Sequence, residues 1–441
     1  MPDWTKVRVL IGVLFPLFLV AMRLAGEEQP KVLRQFKNSS LVQLSPDGTF
    51  ILTSSMRRAK CAEGKNSCGS EVLTVYERAS GKSVGELSAA GSPVYGIPNR
   101  FLTPEFVDRG KVRTIESSWN DQRKSLDYTR TIWDPASKTE QRSSVAFSEG
   151  FSYQCPVDNQ RLLGLGPLIV QNGRGDFAPD GPPLARIERG DDKRPLQLVV
   201  PGGPVATIAT LNRVSFGQFK CDVWRSENTY LLQEAPPRRS LEDRFGKSLT
   251  WFSIEAGAPP RPCHAFEGLG IRGYAISPDQ SRIAVVTRAS ISANDPIILT
   301  VLDLKTCAEL NHFELEFPEK PQTRAPLLAP SKPYPDNVPF PDQFASSVAI
   351  SPDNKTVAVA YGIAKGISGL AFFGVYSMSD GHRMATLKGD TFTPNLYEIF
   401  VLDIYSARGA PLDGAIQFSA DSKSLFTSSR NLRQWDVSGL R

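Results

Sequence analysis

Cysteine and histidine are the residue types whose chemistry is most diagnostic in this chain, and both are few. The three histidines, at positions 264, 312 and 382, are too scattered in sequence to form a multi-histidine metal site. The cysteines are even in number, which is typical of paired thiols in an exported protein. They are Cys61, Cys68, Cys155, Cys221, Cys263 and Cys307. We therefore expect disulfide bonds.

One pairing is favoured locally. Cys61 and Cys68 flank the polar, glycine-containing segment AEGKNS between two strand-like runs, where a short bridge would join the ends of a loop. Other pairings of the six stay open. A metal site is the rival interpretation, but the cysteines lack the two-residue spacing of zinc ligands and no histidine lies near this pair in sequence. Disulfides are the prediction, with no metal and no other cofactor.

Catalytic motifs are scarce. The sequence has no Gly-x-Ser-x-Gly elbow and no phosphate-binding glycine loop. The tripeptide RGD at 174–176 is short enough to occur by chance, and NSS at 38–40 matches a glycosylation acceptor only where the host glycosylates. We therefore predict no catalytic residues.

A short turn motif is repeated and organises the chain. The four copies are LVQLSPDGTFILTSS (41–55), YAISPDQSRIAVVTR (274–288), VAISPDNKTVAVAYG (348–362) and IQFSADSKSLFTSSR (416–430). In each, two strand-like runs flank a turn built on Ser45, Pro46 and Asp47; Ser277, Pro278 and Asp279; Ser351, Pro352 and Asp353; or Ser419 and Asp421. Proline presets φ and aspartate bonds its own backbone, and Gly48, Asn354 or Ser422 follows where a left-handed residue is favoured. Each copy predicts an antiparallel hairpin. One Asp per turn is too few for a calcium loop.

A second element follows each hairpin. The copies TVYERASGK (74–82), TIWDPASKT (131–139), TWFSIEAGA (250–258), TVLDLKTCA (300–308), GVYSMSDGH (374–382) and RQWDVSGLR (433–441) align without gaps. A further short strand follows most of them, so the unit is four antiparallel strands.

These units resemble the blades of WD40-like and YVTN-type β-propellers. The resemblance rests on the Ser-Pro-Asp turns and on the Trp-Asp pairs at 133–134 and 435–436, and it covers essentially the whole chain after the N-terminal segment. It implies an all-β, seven-bladed propeller of four-stranded antiparallel blades. The turns are placed near 46, 98, 156, 222, 278, 352 and 420, the middle three from hydrophobic alternation alone. The Gly-His dipeptide of strict WD40 blades does not precede the first strands.

The last copy, RQWDVSGLR, has no fourth strand after it. The isolated run KVLRQFKN (31–38) precedes the first hairpin and lacks a partner. We predict that residues 32–36 lie antiparallel beside 432–437, complete the last blade and close the ring.

The N-terminus predicts export. Lys6 and Arg8 precede an apolar run at 9–22, which is shorter than the roughly 20 residues of a membrane span. We assign 1–26 as a signal peptide, with a short N-terminal anchor as the alternative, and 31–441 as one propeller domain. Proline-rich segments at 317–343 and 175–195 are predicted surface loops. The protein is therefore secreted or periplasmic, or anchored and facing outside.

Composition restricts the partners. Of 441 residues, 41% are hydrophobic and 22% charged, with 34 Gly and 34 Pro, as in a turn-rich globular protein. The net charge of +5 is too small and too evenly spread to indicate nucleic-acid binding. We expect a binding scaffold for a protein, peptide or glycan, with the 317–343 loop as a recognition candidate. The alternative is a propeller enzyme, such as a lactonase or glycan hydrolase, acting at the central channel.

Overall fold

The described part of the chain is all β. The computed structural model describes residues 30–58, 69–89, 101–108, 110–120, 122, 125–145, 152–154, 169–171, 186–188, 196–199, 205–208, 224–226, 229–234, 248–253, 261–289, 296–315, 343–365, 368–392 and 416–440. These residues form strands and the turns between them, with no helix among them.

The strands follow one another in short antiparallel runs. In the N-terminal part they are β1 (Val32–Phe36), β2 (Ser40–Leu44), β3 (Phe50–Arg58), β4 (Gly69–Glu77), β5 (Ser83–Ser88), β6 (Phe101–Asp108), β7 (Lys111–Asn120), β8 (Ser125–Asp134) and β9 (Thr139–Val145). In the middle they are β10 (Ser152–Gln154), β11 (Ile169–Gln171), β12 (Arg186–Glu188), β13 (Leu196–Val199), β14 (Val205–Ile208), β15 (Trp224–Ser226), β16 (Thr229–Glu234), β17 (Ser248–Ser253) and β18 (Arg261–Ala265). In the C-terminal part they are β19 (Gly270–Ile276), β20 (Arg282–Arg288), β21 (Ile297–Asp303), β22 (Glu309–Leu315), β23 (Gln343–Ile350), β24 (Thr356–Lys365), β25 (Ser368–Ser377), β26 (Arg383–Phe392), β27 (Ile416–Phe418), β28 (Ser424–Ser428) and β29 (Leu432–Asp436).

Six of the sheets formed by these strands have four antiparallel strands each. Five of the six are simple meanders, β2–β5, β6–β9, β15–β18, β19–β22 and β23–β26. The sixth has the order β1-β29-β28-β27, so its fourth strand comes from the other end of the chain. The repeated element therefore folds as the sequence predicts, with the two strands of each hairpin first and second in the sheet.

The third unit differs from the predicted blade. Strands β10–β14 form a five-stranded sheet in which β11 and β12 pair in parallel, so a four-stranded antiparallel blade is the wrong description here. A parallel pair needs a connection of about a dozen residues or more to return the chain to the same end. Residues 172–185 supply that length, and they contain part of the 175–195 proline-rich segment.

Two of the predicted turns in the weaker units are misplaced. The β6–β7 hairpin turns at 109–110 rather than near 98, and β15 and β16 are joined by 227–228 rather than by residues near 222. Neither turn carries a Ser-Pro-Asp motif. Hydrophobic alternation identifies a strand but does not fix where it ends, which explains both errors.

The two ends of the chain pair as predicted. Strand β1 lies antiparallel to β29, with Val32 opposite Trp435 and Phe36 opposite Leu432, and a bulge interrupts the register after Val32. The side chain of Phe36 is buried and packs on Tyr76, with 4.6 Å between ring centroids. The N-terminal strand thus contacts both the last sheet and the first.

The core lies between neighbouring sheets. Val286 of β20 and Val359 of β24 belong to one buried cluster, and Leu387 of β26 and Leu425 of β28 to another. The first strand of each sheet contacts the first strand of the next, in the order β19, β23, β27, β2, β6. Five four-stranded sheets therefore pack in succession, the packing expected in a β-propeller.

Candidate binding surface

The Ser-Pro-Asp turns are held by a fixed set of hydrogen bonds. In the copy at 419–424, the buried Oγ of Ser419 donates to Asp421 and accepts from the backbone amide of Ser424 at 2.9 Å. The carboxylate of Asp421 also accepts from the amide of Lys423 at 3.1 Å. The two side chains therefore satisfy amides that the tight hairpin leaves unpaired, which is a structural role for the motif.

The other three copies repeat this geometry. The serine Oγ donates to the aspartate at 2.6 Å in each, from Ser45 to Asp47, Ser277 to Asp279 and Ser351 to Asp353. The residue after each aspartate has positive φ: 70° at Gly48, 58° at Gln280, 57° at Asn354 and 56° at Ser422. The predicted left-handed positions are confirmed at Gly48, Asn354 and Ser422.

These hydrogen bonds stabilise the charged aspartates. Burial raises the pKa of Asp279, but bonds from Ser277, Ser281 and Asn354 outweigh it and lower that pKa to about 2. The bond from Ser45 likewise lowers the pKa of Asp47. Both carboxylates are ionised at neutral pH and are already engaged as acceptors, which does not suit a general acid.

Neighbouring turns are also linked to one another. The Nδ2 of Asn354 donates to Asp279 at 2.6 Å, and the amide of Asp353 donates to the Oγ of Ser422 at 3.2 Å. Arg78 lies 3.5 Å from Asp421. The turns of four consecutive sheets therefore meet at one end, which we call the turn end.

The turns between third and fourth strands lie at the same end, because each contacts the hairpin turn of its own sheet. The amide of Arg78 donates to the carbonyl of Thr49, and that of Leu304 to the carbonyl of Ser281. Positive φ recurs at one aligned position of these turns, in Gly81, Lys138, Cys307 and Gly381. In the Trp-Asp pairs, the carboxylates of Asp134 and Asp436 accept hydrogen bonds from backbone amides of these turns.

A recurrent joint connects the fourth strand of one sheet to this aligned turn of the next. Arg34 of β1 donates to the carbonyls of Arg78 and Ala79 and packs against Gly81. Asn311 of β22 donates to the carbonyl of Met378 at 2.7 Å. The same joint is covalent in one place, where Cys263 of β18 bonds to Cys307 with the Cα atoms 5.2 Å apart.

The disulfide shows one pairing among the six cysteines. Cys263–Cys307 joins two sheets and spans 44 residues, unlike the short bridge favoured from sequence. Cys61, Cys68, Cys155 and Cys221 lie outside the described residues, so the local pair remains a prediction. The available signal for a special role of Cys307 was its alignment with Gly81, since a cysteine at a left-handed position is unusual.

The opposite ends of the sheets, which we call the loop end, carry the longer connections. Within the six four-stranded sheets, the longest connection at the turn end is 254–260, between β17 and β18. The longer connections are 59–68, 89–100, 235–247, 289–296, 316–342 and 393–415, and the described strands on either side of each have their flanking ends at the loop end. The 317–343 segment, apart from Gln343 in β23, lies outside the described residues.

Two carboxylates tie neighbouring sheets together at the loop end. Asp390 accepts from the Oγ of Ser429 and the amide of Asn431, both at 2.8 Å, and pairs with Arg433. Glu71 accepts from the amide of Phe101 at 2.8 Å. Burial raises the pKa of Asp390, but these bonds outweigh it and lower that pKa overall. Both groups act as structural acceptors.

Glutamine side chains also join the first strands of neighbouring sheets at two points. The Oε1 of Gln417 accepts from the amide of Leu44 at 3.1 Å, and that of Gln43 accepts from the amide of Phe106 at 2.9 Å. The two glutamines occupy the same position of the repeat, two residues before the motif serine. They link the first strands of the last, first and second sheets.

The histidines lie apart. The ring of His264 contacts that of Phe266 in a tilted arrangement, His312 lies 3.5 Å from the hydroxyl of Thr300, and His382 contacts Asp380 at 2.7 Å. Over the described residues, no group of three or more His, Cys, Asp or Glu side chains could hold a metal ion. The same residues include no helix long and apolar enough to cross a membrane.

Comparisons with known proteins give fold-level likeness. No family model and no curated protein matches the chain. Among solved structures it is similar to oligogalacturonate lyase from Vibrio parahaemolyticus, at 13% identity over 93% of this chain and 98% of that one, with a TM-score of 0.40. Drosophila Plexin A in complex with Semaphorin 1b matches at 12% identity over 93% and 88%, with a TM-score of 0.40.

A third similar structure is the β-propeller domain of the Trilobed protease from Pyrococcus furiosus. Its identity is 10%, over 91% of this chain and 94% of that one, with a TM-score of 0.35. These TM-scores are below 0.5, so the fold assignment rests on the strand order and pairing described above.

Proposed function

We propose that this protein is an exported, seven-bladed β-propeller that binds a protein, peptide or glycan through its loop end. The observation that carries the proposal is the asymmetry between the two ends of the sheets. Side chains at the turn end are bonded to one another in short turns, whereas in the six four-stranded sheets the strands that flank the six longer connections all have their flanking ends at the loop end. Long loops on a rigid scaffold are the usual site of recognition.

The seven-blade closure is part of the proposal. Contacts between first strands support the succession of five sheets, and Cys263–Cys307 extends it to the β15–β18 sheet. The β10–β14 sheet would then fill the remaining place between β6–β9 and β15–β18. The pairing of β1 with β29 would close this ring.

Export is proposed from the basic and apolar residues at 6–22 and from cysteine pairing. Disulfides persist in oxidising compartments, so Cys263–Cys307 supports a periplasmic or extracellular location. Membrane contact is assigned only to the N-terminal segment, and nucleic acid is not a proposed partner.

A capture experiment tests the binding function. The chain from residue 27 onward is immobilised and exposed to a native envelope extract, beside a variant in which 318–342 is replaced by a Gly-Ser linker of equal length. A matched control carries Lys82→Glu, Lys355→Glu and Lys423→Glu at the turn end, where all three residues are exposed. We expect one partner to be retained by the control and lost from the loop variant.

The opposite result contradicts the assignment. Capture that survives loop replacement but is lost in the turn-end variant places recognition at the turn end. Turnover of a lactone or glycan substrate by the purified chain, abolished by substitution of a channel residue, would establish the enzymatic alternative instead.

A further inference from the structure

The direction of β1 decides where the N-terminal segment leaves the fold. Strand β29 starts after the β28–β29 turn at the loop end and finishes at the turn end, where the amide of Val437 donates to the carbonyl of Lys423. Because β1 is antiparallel to β29, Val32 lies beside Trp435, towards the turn end. The carbonyl of Lys31 accepts from the amide of Asp436 at 2.8 Å. Lys31, at the start of the described chain, therefore lies at the turn end.

The sequence before Lys31 suits retention better than removal. Signal peptidase requires small residues one and three positions before the cut. For cuts after Ala25 and Gly26, the position three residues before the cut is occupied by Arg23 and Leu24. The apolar run at 9–22 is short for a span, but Arg8 and Arg23 flank it, and long basic side chains reach the interface from the ends of a short segment.

We propose that residues 9–22 remain in the membrane and hold the turn end against the lipid surface, so that the loop end faces away from it. Residues 23–30 are the only tether between the run and β1, and an extended chain of that length spans at most about 29 Å. The partner of the turn end is thus a bilayer. The orientation rests on the proposed function only in naming the loop end as the recognition surface.

Charge at the turn end favours a tether over electrostatic adhesion. Exposed lysines such as Lys355 and Lys423 alternate with the exposed acidic residues Asp353 and Asp421. Hydrogen bonds from Ser419 and Lys423, together with Arg78, lower the pKa of Asp421 against the effect of burial, so this negative charge persists at neutral pH. A surface of alternating sign attracts anionic lipid weakly, and salt screens what remains.

Energy transfer to the bilayer tests the orientation. Lys423→Cys and Arg430→Cys place a donor fluorophore before and after the single strand β28, at the turn end and the loop end respectively. Each labelled full-length chain is reconstituted into vesicles of phosphatidylcholine and phosphatidylglycerol containing an acceptor lipid. We expect about twofold greater transfer from position 423, because it lies some 20 Å nearer the membrane. Matching urea midpoints confirm that both variants are folded.

Equal transfer, or greater transfer from position 430, overturns the orientation. The protein should float with the vesicles even in high salt, and should no longer float when residues 1–29 are deleted. Release from the vesicles by salt, or flotation of the deleted chain, overturns the proposed tether. A native protein that begins after residue 26 on N-terminal sequencing also overturns it. None of these readouts uses a ligand, so the binding proposal can fail or succeed independently.

Discussion

The backbone amide of Asp436 donates to the carbonyl oxygen of Lys31 at 2.8 Å, which joins residues 405 positions apart in the chain (436 minus 31). Two side chains of strand β1 anchor it further. Arg34 donates to the carbonyls of Arg78 and Ala79, and Phe36 is its one buried large side chain, whereas Val32 and Leu33 are 38% and 44% exposed. The attachment of β1 therefore depends on the ladder with β29, on the Arg34 hydrogen bonds and on the Phe36 ring.

The first prediction concerns this attachment. Phe36→Ala should lower the free energy of unfolding by about 3 kcal/mol, because it leaves a cavity beside Tyr76 and Leu432. Leu33→Ala on the same strand is the control and should change it by less than about 0.5 kcal/mol. Urea titration measures both. Equal effects of the two substitutions would show that β1 is not held through Phe36.

The second prediction concerns the covalent joint. Cys263→Ala with Cys307→Gly restores the glycine found in the aligned turns at Gly81 and Gly381, and so removes only the cross-link. We expect a loss of about 2–5 kcal/mol in unfolding free energy, because the bond closes a long loop in the unfolded chain. Thermal and urea unfolding under oxidising conditions measure the loss.

A matched variant separates the bond from the backbone. Cys263→Ala with Cys307→Ala should be less stable than the glycine version by about 1 kcal/mol, because φ at position 307 is 59° and alanine is strained there. Equal stability of the two double variants would contradict a left-handed backbone at 307.

The third prediction concerns acid stability. The pKa of Asp279 is about 2 in the folded protein, below the ordinary value of 3.8. Its contribution is therefore fully present above pH 3.8 and is lost as the pH falls towards 2. Asp279→Asn should flatten the dependence of unfolding free energy on pH in that window. Asp380→Asn is a poor control, because the pKa of Asp380 is also lowered to about 2.

Glu86→Gln supplies the comparison for Asp279, since Glu86 is exposed and makes a surface ion pair with Arg57. A slope between pH 4 and 2 that is unchanged by Asp279→Asn would show that the turn does not stabilise the carboxylate.

The fourth prediction concerns packing in the β23–β26 sheet. Tyr361 and Tyr376 are fully buried with their hydroxyls 2.7 Å apart, and burial raises the pKa of Tyr361 well above 10. A Cβ on Gly374 would lie 2.5 Å from the Tyr376 hydroxyl. Gly374→Ala should therefore cost about 1–3 kcal/mol in urea unfolding. Gly439→Ala, with no neighbour within 4 Å, should be nearly neutral.

Sequence reasoning succeeded where the determining interactions are local. Ser419, Asp421 and Ser422 set their own hairpin through bonds that span five residues or fewer, so the turn type could be predicted from residue chemistry alone. The units lacking this motif were found by alternation, but two of their turns were predicted near 98 and 222, whereas the strands are joined at 109–110 and 227–228. The parallel pair β11–β12 was missed because an extended run does not specify the direction of its partner.

The sequence by itself determined the hairpin repeat, the four-strand unit and the pairing of the two chain ends. The repeat spacing, the turn residues and a strand without a partner can all be recognised from the order of residues along the chain. Only the tertiary structure decided that Cys263 meets Cys307, that Asn354 reaches Asp279, and that Lys31 leaves at the turn end. Those relationships depend on how one sheet sits against the next. That packing is set by side chains far apart in the chain, which no local pattern orders in space.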